Sequence, residues 1–339
     1  MPGDRDGAGH DVVVVGASAG GIEALKELVA GLPADLRAAV FIVLHLPAGG
    51  TSVLPSILAR AGALPAQHVD GGVEIERGRI YVAPPDLHLR FDDSRIEAIA
   101  GPRENGHRPA IDPLFRSAAH SFGPRAVGVV LSGTLDDGTL GLRAIKAHGG
   151  VVLVQDPATA LHQGMPRSAI AYADPDEVAD PAELARLIVE LANDPIDEPS
   201  EGAGTKMNEH SDEVARETKA DPQPGDKTGL TCPECGGAIW MQVNGDVPSF
   251  ACRVDHKYTA ETFAVEQGRT VEGAVWAALR LIEERIVLMR TLAERFKDQR
   301  RTSQSFGTKA DELEQHATTL RSLIDGVALA VAVPAESDA

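Results

Sequence analysis

The stretch Val12-Val13-Val14-Val15-Gly16-Ala17-Ser18-Ala19-Gly20-Gly21 decides the fold. Four consecutive valines read as a strand buried on both faces, as in parallel sheets, rather than as a strand with one wet face. The run ends in a glycine turn, and a helical pattern starts at once with Ile22, Leu25, Leu28 and Val29. Short apolar runs recur at residues 40–44, 127–131 and 151–154, each bounded by glycine or polar residues and separated by helix-like patterns. This alternation predicts βαβ crossovers, hence an α/β domain with a doubly wound, mostly parallel sheet over residues 1–195. Between about residues 68 and 100 the pattern changes to short runs broken by Asp70-Gly71-Gly72, Pro84-Pro85-Asp86 and Asp92-Asp93, which predicts a small β insertion beside that sheet.

The chain of 339 residues, 43% hydrophobic, is long enough for a second domain. A formal net charge of -18 repels phosphate backbones and anionic lipid, so the composition argues against a nucleic-acid binder and against membrane insertion. Residues 1–10 lack an apolar signal core and no later apolar run reaches the length of a span, which makes a cytoplasmic protein the expectation. Residues 196–228 are rich in Pro, Glu, Asp, Gly, Ser and Lys and predict a flexible linker. Beyond it, residues 229–339 read as a cysteine-containing knuckle followed by two helices. The first helix has an apolar stripe through Val275, Leu279, Ile282, Ile286, Met289, Ala293 and Phe296, the second through Leu313, Ala317, Leu320, Ile324 and Val327. Both stripes have coiled-coil spacing, and the polar stretch 298–308 with Gly307 is where the chain is expected to turn back into an antiparallel hairpin. An apolar edge left over on these helices would serve self-association or a partner helix.

Strand, glycine turn and helix is the context of a nucleophile elbow, in which Ser18 projects from the turn and the helix start offers N–H groups to a developing oxyanion. A phosphate-cradling turn uses the same helix end, but Gly-x-Gly-x-x-Gly fails at Ser18 and no Gly-Lys-Ser/Thr follows. A serine hydroxyl needs a base. His45 ends the second parallel strand and stands at the same sheet edge. A carboxylate to orient the imidazole is offered by Ser132-Gly133-Thr134-Leu135-Asp136-Asp137-Gly138, again after a strand and before a helix. The residues alone do not choose between Asp136 and Asp137.

Taken in order, Gly16–Gly21, His45-Leu46-Pro47, Tyr81-Val82-Ala83-Pro84, His107-Arg108-Pro109-Ala110-Ile111-Asp112, the 132–138 segment and Gly164-Met165-Pro166-Arg167 resemble the catalytic domain of chemotaxis protein-glutamate methylesterases, from about Val12 to Asp180. The resemblance implies Ser18 as nucleophile, His45 as general base and then acid, and Asp137 as the orienting carboxylate. It further implies backbone N–H groups of Ala19 and Thr134 in the oxyanion hole and no cofactor for catalysis. The implied substrate is a glutamate γ-methyl ester on a methylated chemoreceptor or related sensory signalling protein, within a system that includes a methyltransferase. Glutamine deamidation through the same acyl intermediate is a second activity. This sequence departs from the family pattern at Ala19, where threonine is frequent, and at Thr134, where methionine is. Family members often carry a receiver domain before the catalytic one, and here the matching region starts after about ten residues. A reading of a different class is an esterase-like scaffold that recruits signalling partners through its C-terminal part.

The only cysteines of the chain, Cys232, Cys235 and Cys252, fall with His256 in the spacing of two ligand pairs, and Gly236-Gly237 suits the turn after the first. Such a Cys3His set predicts a closed, structural Zn2+ site. The segment resembles a module that follows methylesterase domains in some stand-alone relatives.

Overall fold

The computed structural model describes residues 9–46, 52–92, 95–196, 225–244 and 247–331, and all but the ends of the expected 196–228 linker lies outside them. The chain divides into two compact units, residues 1–262 and 263–339. In chain order the first unit contains β1 (Val12–Ala17), α1 (Gly21–Ala30), β2 (Ala39–Leu44), α2 (Leu54–Ala61), β3 (Ala66–His68), β4 (Gly72–Glu74), β5 (Ile80–Val82), β6 (His88–Asp92), β7 (Arg95–Ile99), α3 (Ile111–Phe122), β8 (Ala126–Val130), α4 (Thr139–Ala147), β9 (Val151–Gln155), α5 (Gly164–Tyr172), β10 (Glu177–Ala179) and α6 (Pro181–Asn193). After these come β11 (Asp226–Thr231), β12 (Ala238–Asn244), β13 (Val247–Cys252), β14 (Lys257–Thr259) and α7 (Ala260–Arg295), which runs into the second unit.

Seven strands form one sheet in the order β10-β9-β8-β1-β2-β5-β3, every pair parallel. The valines of β1 explain why. Val13 and Val15 point to a core with Leu25, Leu28, Leu58, Leu184 and Ile188 of α1, α2 and α6. Val12 and Val14 point to a core with Ile111, Leu114, Phe115, Leu142 and Met165 of α3, α4 and α5. Successive side chains on a strand face opposite ways, so a strand between two helical layers must be apolar at every position. Burial of each such valine contributes roughly 1.5–3 kcal/mol. From β1 the chain winds outward through β2 on one side and later through β8 on the other, which makes the C-terminal ends of β8, β1 and β2 the switch point where a crevice opens.

The expected insertion is narrower than its composition implies. Only β4, β6 and β7 form the separate antiparallel sheet, whereas β3 and β5 complete the main one. The run Ile80-Tyr81-Val82 is wholly buried, and three residues suffice for parallel pairing with both β2 and β3. The antiparallel sheet β11-β12-β13-β14 groups with the α/β unit, and the break between the two units comes after Thr262.

At the sheet edge remote from Ser18, Asp11 accepts hydrogen bonds from Arg77 and Arg125 at 2.7–2.8 Å. Burial opposes its ionisation, but the two guanidinium groups outweigh that and hold the carboxyl below its usual range. A depressed folded value means that the contribution to stability is present above about pH 4 and is lost as pH falls through the folded value. Asp11→Asn is therefore expected to lower the melting temperature by a few degrees at pH 7, with wild type and variant converging in strong acid when melts are recorded across pH.

In the second unit, α7 and α8 (Arg300–Val331) form the helical hairpin. Leu279, Ala317 and Ile324 are buried in its seam with Val275, Ile282, Ile286 and Leu320 around them, which are residues of the two stripes. Arg290 bridges to Asp311 and Glu314 across the pair. The reversal is tighter than expected, at residues 296–299, and most of the polar stretch 298–308 belongs to α8. The exposed Thr, Ser and Gln residues there cost a helix only tenths of a kcal/mol each, and Gly307 about one, so polarity did not mark a break. No helix among the described residues is long and apolar enough to cross a membrane.

Candidate active site

Ser18 follows the last residue of β1, and its position is fixed from both sides. Its N–H donates to Ser132 O at 2.9 Å, and the His45 N–H donates to Ala17 O at 3.1 Å, so the ends of β1, β2 and β8 are tied together. Gly20, at φ 70°, reverses the backbone so that α1 starts at Gly21, whose N–H returns to Ser18 O at 2.9 Å. The positive end of α1 thus lies beside the hydroxyl.

His45 links the serine to a carboxylate. Its Nε2 is 2.8 Å from Asp137 Oδ2 and its Nδ1 3.1 Å from Ser18 Oγ. Asp137 is 3% exposed, and a carboxylate there accepts only, so the ring carries its proton on Nε2 and leaves Nδ1 to accept from the serine hydroxyl. Burial pushes Asp137 toward the neutral acid, but the His45 hydrogen bond and charge, the Ile111 N–H at 2.7 Å and the Asn105 amide at 2.8 Å outweigh it and hold the carboxyl well below the usual range. Ile111 opens α3, so a helix N-terminus faces the charge. Asp112, fully buried alongside, is driven the other way by burial and by repulsion from Asp137. The two carboxyl groups share the Asn105 amide, whose second contact is to Asp112 at 3.2 Å.

The structure distinguishes the two aspartates that the residues alone left open. Asp137 meets His45, whereas Asp136 Oδ1 accepts the hydroxyls of Thr259 and Thr262 at 2.7 and 2.8 Å. The ring of His107 stacks on that of His45 with centroids 3.7 Å apart and planes 14° apart, covering one face of the imidazole. His107 was legible only as part of a motif block, with no role attached.

Ala19 follows the nucleophile in the chain, and Gly133, which precedes Thr134, approaches it across the turn. Ser132 Oγ donates to Ala19 O at 2.8 Å and Ser132 N–H to Gln155 Oε1 at 2.8 Å, while Met165 N–H donates to Gly133 O at 2.9 Å. This bracing holds the 132–134 turn against the serine: a Cβ at Gly133 would stand 2.9 Å from Ser18 Cβ and 2.0 Å from Met165 Sδ. Gly133→Ala is expected to displace the nucleophile and lower ester turnover by about a hundredfold with the fold retained. Paired turnover and melting measurements check this, and Met165→Ala, which relieves only one clash, is expected not to rescue it.

Cys232, Cys235, Cys252 and His256 converge so that their ligand atoms all lie within 4.8 Å of one another. Cys235 Sγ to Cys252 Sγ is 3.7 Å, and His256 Nδ1 is 3.7 Å from Cys232 Sγ and 3.4 Å from Cys252 Sγ. A tetrahedron with zinc–sulfur bonds of about 2.3 Å and zinc–nitrogen bonds of about 2.0 Å has edges of roughly 3.5–3.8 Å. The three separations match those edges, and the remaining ones lie within 4.8 Å, so the donor set suits that ion.

A parallel sheet with serine, histidine and aspartate in series at its C-terminal edge is the arrangement of an α/β serine hydrolase. The family model described as CheB methylesterase matches residues 13–188, and the chain belongs to that family. The protein-glutamate methylesterase/protein-glutamine glutaminase of Maricaulis maris is 35% identical over 192 residues, 56% of this chain and 48% of that protein. A Leptospira interrogans relative is 37% identical over 183 residues, 54% of this chain and 95% of its own. The crystal structure of the Thermotoga maritima CheB methylesterase catalytic domain superposes with a TM-score of 0.51 at 30% identity, covering 53% of this chain and 98% of that one. The chain spans about half the length of the Maricaulis relative and of the Paraburkholderia xenovorans one.

Proposed function

We propose that this protein hydrolyses glutamate γ-methyl esters on methylated chemoreceptors or related signalling proteins, with Ser18 as nucleophile, His45 as base and acid, and Asp137 as the orienting carboxylate. The reading is carried by the hydrogen-bonded series of Ser18, His45 and Asp137, at 3.1 and 2.8 Å. Ser18 Oγ attacks the ester carbonyl as its proton passes to His45 Nδ1, and Asp137 stabilises the imidazolium through Nε2. The N–H groups of Ala19 and Thr134 receive the oxyanion. Methanol departs with the proton from His45, which then activates water to cleave the acyl-enzyme and regenerate Ser18. An amide forms the same acyl intermediate with a poorer leaving group, so glutamine deamidation is a slower second activity. In this reading the Cys232, Cys235, Cys252 and His256 set holds a structural zinc, and zinc takes no part in the ester chemistry. The test combines serine-directed phosphonate labelling with methanol release from a peptide containing a glutamate γ-methyl ester. Labelling at Ser18 with methanol release is expected; a peptide left intact by protein that is folded would overturn the reading.

A further inference from the structure

We propose that Asn105 is a positioning residue for the Asp137 carboxylate, and that the Cys/His-bearing sheet holds Asn105 in place, so that metal loading of that sheet governs turnover at Ser18. The proposal rests on the hydrolase reading above and extends it to what supports the carboxylate.

The wiring is continuous. Asn105 is 4% exposed, and its side-chain polar groups are all engaged. Its Nδ2 group donates to Asp137 Oδ1 at 2.8 Å and to Asp112 Oδ2 at 3.2 Å. Its Oδ1 accepts the N–H of Thr259 at 3.0 Å. The orientation of the amide is therefore set from outside the α/β sheet: the carboxylates require the donor end toward them, and the Thr259 N–H requires the acceptor end. The Asn105 N–H in turn donates to Lys257 O at 2.8 Å, and Glu104 pairs with Lys257 as a parallel bridge. Residues 103–105 thus extend the antiparallel sheet past its edge strand β14.

β14 begins directly after His256, one of the four clustered side chains, and Cys252 N–H donates to His256 O at 3.1 Å. From the cluster to the catalytic carboxylate the path is His256, three residues of β14, the Thr259 N–H, the Asn105 amide and Asp137. A second tie runs beside it. Thr259 and Thr262, both 1% exposed, donate their hydroxyls to Asp136 Oδ1, and Arg103 pairs with Glu234 of the Cys232–Cys235 turn at 3.6 Å. A buried aspartate that takes both of its hydroxyl donors from the C-terminal segment marks a built contact, since buried polar groups are kept where they are paired.

When the sheet opens, Thr259 leaves, the Asn105 amide loses its acceptor-side anchor, and the donor to Asp137 is free to rotate away. Asp137 is then less firmly placed against His45, an effect on the chemical step rather than on ester binding. Asn105 lies at φ 50°, a left-handed conformation that glycine adopts freely, so Asn105→Gly removes the amide with the least backbone penalty.

The experiment uses the full chain as wild type, Asn105→Gly, Cys235→Ser and the double variant, plus wild type stripped of metal by a chelator and reloaded with zinc ions. Turnover is followed on a small ester, and the Nε2 proton of His45 by NMR. Asn105→Gly is expected to lower kcat roughly ten- to a hundredfold at unchanged KM, equivalent to the loss of one charge-assisted hydrogen bond. Cys235→Ser and chelation are expected to do the same. The double variant should be no slower than the slower single, and zinc should restore stripped wild type but not Asn105→Gly. The His45 proton signal should weaken in every impaired form. Losses that multiply in the double variant, or a stripped protein with unchanged kcat and an unchanged signal, would overturn the proposal. Zinc reloading separates it from simple misfolding, and the NMR signal is read without any substrate. A wild type with that signal but no esterase activity would instead defeat the hydrolase reading.

Discussion

Ser18→Ala, His45→Ala and Asp137→Asn are each expected to reduce methyl-ester hydrolysis by about three to six orders of magnitude, without additivity when combined, because residues that act as one unit lose the whole function when any one fails. The three sit in a hydrogen-bonded series, each link at 2.8–3.1 Å. Asp136→Asn is expected to cost less than about tenfold. An asparagine oxygen still accepts the Thr259 and Thr262 hydroxyls, and burial already pushes the Asp136 carboxyl toward its neutral form. Single-turnover assays on the four variants, with circular dichroism to verify folding, decide the matter. A silent Asp137→Asn beside a severe Asp136→Asn would reverse the assignment of the pair.

Removal of the zinc proposed at the Cys232, Cys235, Cys252 and His256 cluster is expected to have the second large effect. Purified protein is expected to contain about one zinc per chain by elemental analysis, and Cys232→Ser to contain none. The buried hydrophobic side chains of the sheet β11-β12-β13-β14 are few, Cys232, Ile239, Val247, Ala251, Cys252 and Tyr258, and β11 is almost wholly exposed. A core that small cannot offset chain entropy, whereas structural zinc sites supply on the order of 10 kcal/mol. Hydrogen exchange should therefore show residues 226–259 losing protection on chelation while β1, β2 and β8 keep theirs. Zinc at full stoichiometry in Cys232→Ser would place the site elsewhere.

Much of this molecule is legible in its residues. The four valines, the glycine turn and the helical pattern after it announce β1, the elbow and α1, because a buried parallel strand leaves an unbroken apolar run. His45 and the Asp136-Asp137 pair could be placed at one sheet edge because each follows a strand and precedes a loop or helix. The cysteine spacing points to a cluster. What stayed hidden is contact between distant segments. Asn105 and Thr259 are 154 positions apart, and nothing local to either announces the other. The difference between Asp136 and Asp137 is of the same kind: in space one meets His45 and the other meets the two threonines. The narrower insertion and the tighter helical reversal were missed for a different reason: three buried residues are too few to show a period, and exposed polar residues suit a helix almost as well as a loop.

β8, β1 and β2 stand side by side in the middle of a sheet covered on both faces, and their ends carry the reacting groups. Spacing at the site is thus inherited from a hydrogen-bonded ladder, about 4.8 Å from strand to strand, rather than from the set of a loop. Amides in such a ladder open only with the domain as a whole. Heat should accordingly inactivate the protein in two stages. A first loss, to about a tenth of the starting rate or less and recovered on cooling with zinc present, accompanies the opening of the small antiparallel sheet; a second, complete one coincides with melting of the parallel strands.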